Sequence, residues 1–189
     1  MILIMPRCSS FFFNFQFNFI IYFRLICYDL NYNMNKRISI IGIGNIFMGD
    51  DGVGASVLEL LKNESLPGNV SIINKGTRGL SLIHTLAEFD IAIIIDAVDF
   101  GGKPGETCCF TPGDVKSTKQ ISGLSTHECD LLTVIELSKK LDECPGKIII
   151  MGIQPSSMAP TGELSPSIKM KLHEIVKSVM EVIHNENSQ

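Results

Sequence analysis

The chain has no tryptophan, and its three tyrosines, Tyr22, Tyr28 and Tyr32, all fall within the first 33 residues. Nor does it carry a stripe of lysine or arginine. With a net charge of −4 it offers no surface to follow a phosphate backbone, so nucleic acid is not an expected partner. The six cysteines, Cys8, Cys27, Cys108, Cys109, Cys129 and Cys144, form no C-x-x-C pair. Without a disulfide framework or a zinc ribbon, the reducing cytoplasm is the simplest compartment. Cys108 and Cys109 are adjacent on an expected strand and should point to opposite faces.

Other absences exclude whole chemistries. No uninterrupted apolar run approaches the ~20 residues of a spanning helix, and no polybasic patch suggests stable membrane association. No serine sits in a G-x-S-x-G elbow. Asp50-Asp51-Gly52 lacks the spaced ligands of a calcium loop. Gly42-Ile43-Gly44 follows a strand, as a dinucleotide fingerprint would, but the third glycine is replaced by Phe47. The acid expected after the second strand is replaced by Asn74 and Lys75, so a nucleotide-binding domain fits poorly.

Residues 1–33 differ in composition from the rest, holding Phe11, Phe12, Phe13, Phe15, Phe17, Phe19 and Phe23. Asn14, Gln16 and Asn18 interrupt that run, Arg24 ends it, and no small-residue cleavage site follows, which argues against an export signal. Residues 1–33 read as a non-native or disordered extension, with Met34 as the expected start of a single domain over 34–189.

From Ile38 onward, short β-branched runs alternate with helical periodicity, the pattern of a helix-covered, mostly parallel sheet. The expected fold is α/β: a three-layer α/β/α sandwich around a mixed sheet of about five strands. The spacing predicts strands over Ile38–Ile43, Val70–Asn74, Ile91–Asp96, Glu106–Phe110 and Lys147–Gly152. The unbroken Ile91–Asp96 run suits a central strand buried on both faces, and Glu106–Phe110 suits an antiparallel edge. Helices are expected from Val53 to near Pro67-Gly68, around Leu80–Ala87, from Ser125-Thr126-His127 to Leu141, and after Ser165-Pro166, which form an N-cap and N1 pair. His84 reads as a surface or helix-packing histidine.

The chain is organised around Ile38–Gly54, where an apolar strand turns on Gly42 and Gly44 and then presents Asp50 and Asp51. Carboxylates at the end of a buried strand are costly to place. In open α/β sheets ligands gather beyond the carboxyl ends of strands. Asp51 follows the first strand, Asp96 ends the third, and His127 opens a helix. Brought to one rim, two carboxylates and an imidazole suit a first-row divalent ion such as zinc or nickel. Spacing alone leaves the plainer alternative open, in which Asp50 and Asp51 cap a helix start and His127 is an ordinary helical residue. Cys129 could add a soft ligand, although a buried helical cysteine is commoner.

The order Gly42-x-Gly44-Asn45, Asp50-Asp51-Gly52-x-Gly54, Gly76-Thr77 with Gly79, Asp96-Ala97-Val98-Asp99, Pro104-Gly105-Glu106, Ser125-Thr126-His127 and Gly152-Ile153-Gln154-Pro155 resembles the nickel–iron hydrogenase maturation endopeptidases, over nearly all of Ile38 to Ile183. The resemblance implies removal of a C-terminal extension from a hydrogenase large-subunit precursor once nickel has been inserted. It places the family's metal-binding residues on Asp51, Asp96 and His127, which would engage nickel carried by the substrate, with other divalent ions able to substitute. Catalysis would then be metal-assisted peptide hydrolysis, with Asp50 orienting water or a ligand and Gly76 and Thr77 lining the substrate cleft. It further implies a cytoplasmic monomer. A non-catalytic nickel-dependent chaperone of the precursor would use the same three residues. Two departures stand out: many relatives carry Glu where this chain has Asp51, and an acid where it has Asn74-Lys75.

Overall fold

A computed structural model describes residues 36–77, 79–114 and 131–188. The extension 1–33, with Ser125, Thr126, His127 and Cys129, lies outside the described residues.

Four isoleucine- or valine-bearing runs and one short Thr-Cys-Cys-Phe segment form one sheet: β1 (Ile38–Ile43), β2 (Val70–Gly76), β3 (Ile91–Ala97), β4 (Thr107–Phe110) and β5 (Lys147–Ile153). Its order is β2-β1-β3-β5-β4, parallel throughout except for the short antiparallel edge strand β4. β3 is central, as its unbroken apolar run predicts, and Ile91 to Ile95 are all buried. Alternate side chains along β1 and β3 face opposite helical layers. Ile38, Ile40, Ile91, Ile93 and Ile95 pack against α1 (Val53–Leu61) and the closing helix α4 (Pro166–Asn187). Ile41, Ala92, Ile94 and Ile150 pack against α2 (Ser81–Leu86) and α3 (Leu131–Lys140). Each fully buried isoleucine contributes about 1.5–3 kcal/mol of transfer free energy, so both layers are held firmly. The result is the expected three-layer α/β/α sandwich.

Several boundaries differ from expectation: β3 runs on to Ala97, β4 begins one residue later at Thr107, and α1, β2 and β5 differ as well. α1 stops at Leu61, short of Pro67-Gly68, because Lys62, Asn63, Glu64 and Ser65 are exposed and continue no apolar stripe. β2 runs two residues further than expected. Gly42 pairs with Asn74 but Ile43 pairs with Gly76, so Lys75 is an extra residue accommodated as a bulge beside the sheet's carboxyl edge. β5 gains Ile153, which pairs with Ala97 on one side and Thr107 on the other. The start of α4 is as expected: Ser165 is the N-cap, its Oγ accepts from the Ile168 N–H at 3.4 Å, and Pro166 follows. His84 is exposed and faces Glu143 at 3.6 Å.

Candidate active site at the carboxyl edge of the sheet

The strand order reverses direction between β1 and β3: the chain leaves β1 for β2 on one side and then returns to place β3 on the other. At such a switch point the loops diverge and leave a crevice. Asp51 lies in the 3-10 turn Gly49–Gly52 that follows β1, and Asp96 lies near the end of β3. Two of the expected site residues are therefore carried by adjoining strands at the same edge.

Glycine makes this close approach possible. Gly44 has φ +113°, and a Cβ there would stand 2.0 Å from the Asp51 carbonyl oxygen. A Cβ on Gly54 would meet the carbonyl oxygens of Ile43 and Ile95 at 2.6 and 2.9 Å. The first turn of α1 thus lies directly over the ends of β1 and β3, with no room for a side chain.

The two adjacent aspartates have different surroundings. Asp51 is half-buried at the rim, and its Oδ2 accepts from the Asn45 N–H at 2.6 Å. Among the described residues nothing donates to its other oxygen. Asp96 is also half-buried, and its Oδ1 accepts from the Ala97 N–H at 2.9 Å. Asp50 is fully buried. Its Oδ2 accepts from the N–H groups of Ser156 and Ser157 at 2.8 and 2.9 Å and from the Ser165 hydroxyl at 2.9 Å, while its Oδ1 accepts from the Ser165 N–H at 2.7 Å. Burial pushes the Asp50 carboxyl up, but the hydrogen bonds from Ser165, Ser157 and Ser156 outweigh it and hold the group below its ordinary value. With four protein donors on its two oxygens, Asp50 ties the turn after β1 to the loop after β5. That is the geometry of a tether between the two loops.

Gln154 is a second tether, which sequence reasoning noted only as part of a motif. It is 7% exposed, its Oε1 accepts from the N–H groups of Phe100 and Gly102, and its Nε2 donates to Asp99 at 3.0 Å. The hydrogen bonds from Gln154 and from the Gly101 N–H lower the Asp99 carboxyl below its usual range. The loop after β3 is thereby fixed to the same post-β5 segment that Asp50 holds. The signal for Gln154 was its place directly after an apolar strand and before Pro155.

Gly76 and Thr77 adjoin the first turn. The Gly44 N–H donates to the Gly76 carbonyl at 3.1 Å, Gly76 takes φ +51°, and Thr77 is exposed. His127, the third expected ligand, lies outside the described residues. Among the described residues no three His, Cys, Asp or Glu side chains stand together as a metal site. A groove of about 440 Å³ lies elsewhere, between β4 and α4, lined by Thr107, Cys108, Lys171, Glu174 and Ser178, and contains neither Asp51 nor Asp96. Cys108 and Cys109 are free and exposed on β4. No helix among the described residues is long and apolar enough to cross a membrane.

Comparison with known proteins agrees with this architecture. The sequence profile of the hydrogenase maturation proteases matches residues 55–182, a span that includes the positions of Asp96 and His127. The chain is 32% identical over 139 residues to the hydrogenase expression/formation protein HupD of Bradyrhizobium diazoefficiens, covering 72% of each. Its fold superposes on the hydrogenase maturating endopeptidase HybD from E. coli with a TM-score of 0.67 and 26% identity, over 79% of this chain and 93% of that one. The [NiFe] hydrogenase maturation protease HycI from Thermococcus kodakarensis gives a TM-score of 0.63 and 30% identity, with the same two coverages. Sequence profile, relatives and sheet architecture agree, and the chain belongs to the hydrogenase maturation protease family, a family of hydrolases.

Proposed function

We propose that this protease removes the C-terminal extension of a nickel–iron hydrogenase large-subunit precursor after nickel has been inserted, and that Asp51, Asp96 and His127 engage the nickel of that substrate. The reading places the enzyme in the cytoplasm, where precursor and nickel-insertion machinery would meet it, and has it act as a monomer. The observation that carries it is the placement of Asp51, in the turn after β1, and Asp96, near the end of the adjoining β3, at the switch point in a chain of this family. Hydrolysis adds water across the scissile peptide bond, so the carbon–nitrogen bond breaks and the amine leaves with a proton. A divalent ion on the substrate would polarise the carbonyl or activate the water. The protein's own part is to hold two carboxylates at fixed positions. Asn45 orients Asp51, the backbone of Ala97 orients Asp96, and the tethers Asp50 and Gln154 keep three loops in register. Gly76 and Thr77, bonded to the first turn through Gly44, form one side of the cleft.

Incubating the nickel-loaded precursor with the protein should shorten the precursor at its C-terminus, and nickel-free precursor should remain whole. Asp51→Asn keeps an acceptor for the Asn45 N–H but loses the charge, so it should abolish cleavage with the thermal midpoint unchanged. Asp51→Ala also removes that hydrogen bond and should lower stability by about 1 kcal/mol. An uncut precursor that co-purifies stably with the wild-type chain would replace the protease reading with a chaperone one. Full cleavage by Asp51→Asn would remove Asp51 from the site.

A further inference from the structure

Eight large apolar side chains are well exposed among the described residues, and five of them lie on the loops at the carboxyl edge of the sheet. Ile46, Phe47 and Met48 follow β1, Leu80 follows β2 and Met158 follows β5. Phe47 is the most open of the five, at 70%. Single exposed apolar residues need no explanation, but a concentration of them beside polar groups marks an interaction surface.

The loop that displays them is tightly held. Asn45 Oδ1 accepts from the Phe47 N–H at 3.0 Å, the Met48 N–H donates to the Asn45 carbonyl at 3.0 Å, and the Phe47 carbonyl accepts from the Gly162 N–H at 3.3 Å. Asp50, two residues beyond Met48, is anchored by its four donors. A loop with its backbone bound at both ends does not expose an aromatic ring through slackness. It fixes the backbone from which the ring projects, which lowers the ordering cost of binding, and aromatic residues are enriched at interface cores.

The occupant follows from where the loop stands. Asn45 is hydrogen-bonded to the Asp51 carboxylate, so the turn that begins at Asn45 directly adjoins the residue to which the precursor would be brought. An acidic stretch would be repelled by Asp51 and Asp96, and apolar side chains match the surface that Ile46, Phe47 and Met48 present. We propose that Ile46, Phe47 and Met48 form the docking surface for an apolar, extended stretch of the hydrogenase precursor next to the bond that is cut, with Phe47 as its anchor. The proposal rests on the reading above in one respect, that the precursor presents its scissile bond to Asp51.

The test measures precursor binding and cleavage separately, using the full chain and the nickel-loaded large-subunit precursor of the same organism. Phe47→Asp should weaken precursor binding at least tenfold and raise KM by a similar factor, with a much smaller fall in kcat. Met170→Asp, at a 78% exposed position on α4, should leave both unchanged. Asp51→Asn should abolish cleavage whatever its effect on precursor binding, so it reports on the cutting site and not on the docking surface. If Phe47→Asp lowers the thermal midpoint, Phe47→Ser supplies the same comparison with less perturbation. Wild-type binding by the Phe47 variant overturns the proposal. So does sedimentation showing that the wild-type chain self-associates through this face, with Phe47→Asp monomeric and precursor binding unaltered. Retained cleavage by Asp51→Asn would instead strike at the site assignment and leave the docking surface to be judged on binding alone.

Discussion

Asp50 and Asp51 are consecutive carboxylates with opposite surroundings. Asp50 accepts four hydrogen bonds from the loop after β5, whereas Asp51 lies at the rim with one donor from Asn45. Asp50→Asn keeps the shape but removes the charge and turns an amide NH₂ toward backbone donors, so it should cost about 2–4 kcal/mol at neutral pH. The loss should also depend on pH. The folded protein holds the Asp50 carboxyl below its ordinary value of 3.8, so the unfolded chain binds that proton more readily. Its contribution is therefore fully present above about 3.8 and fades as pH falls through the lower folded-state value. Chemical denaturation across pH should show the gap between wild type and Asp50→Asn closing at the acid end. A gap that does not change with pH would mean that the charge is not what the four donors recognise.

At the scale of elements, the strands and helices are joined by few polar links outside the rim. The ion pair at the start of β5 is one: Lys147 Nζ lies 2.7 and 2.6 Å from the two carboxylate oxygens of Glu186 near the end of α4. The Glu186 side chain is 9% exposed and that of Lys147 is 46% exposed. Removing the cation alone leaves a nearly buried carboxylate without its partner, so Lys147→Met should destabilise by about 1–3 kcal/mol, less than a fully buried pair would. Adding Glu186→Leu to Lys147→Met should recover most of that loss, because the desolvated charge is then gone as well. Equilibrium unfolding of the two variants decides it, and a double variant no better than the single one would refute the account.

The elements themselves were largely legible in the sequence. Hydrophobic period and cap residues act over a few positions, so β1, the central place of β3 and the Ser165-Pro166 start of α4 followed from short stretches. The misplaced end of α1 and the bulge at Lys75 were not legible. The first depends on which polar residues find no surface to cover, and the second on the register that β1 imposes on β2.

At the scale of the whole molecule, the two apolar clusters among the described residues draw on Ile38 to Ile183, and two of the described helices pack on each face of the sheet. The break in composition after residue 33 predicts that a chain beginning at Met34 should unfold cooperatively at the same thermal midpoint as the full chain and cut the precursor at the same rate. A lower midpoint in calorimetry would show that residues 1–33 belong to the fold. Family membership also belongs to this scale. No single motif is longer than a few residues, and only their joint order along the chain, carried on one sheet topology, makes the likeness specific.

By itself the sequence determined the alternation of strands and helices, the sheet's central strand and the set of carboxylates that could reach its edge. Those properties follow from local periodicity and from the chain order of a parallel α/β sheet. Only the tertiary structure decided which of two neighbouring aspartates holds the loops together and which faces the rim. In a 3-10 turn successive side chains point about 120° apart, so Asp50 and Asp51 must diverge. The inward one is chosen by where Ser156, Ser157 and Ser165 place their donors, more than a hundred residues further along the chain.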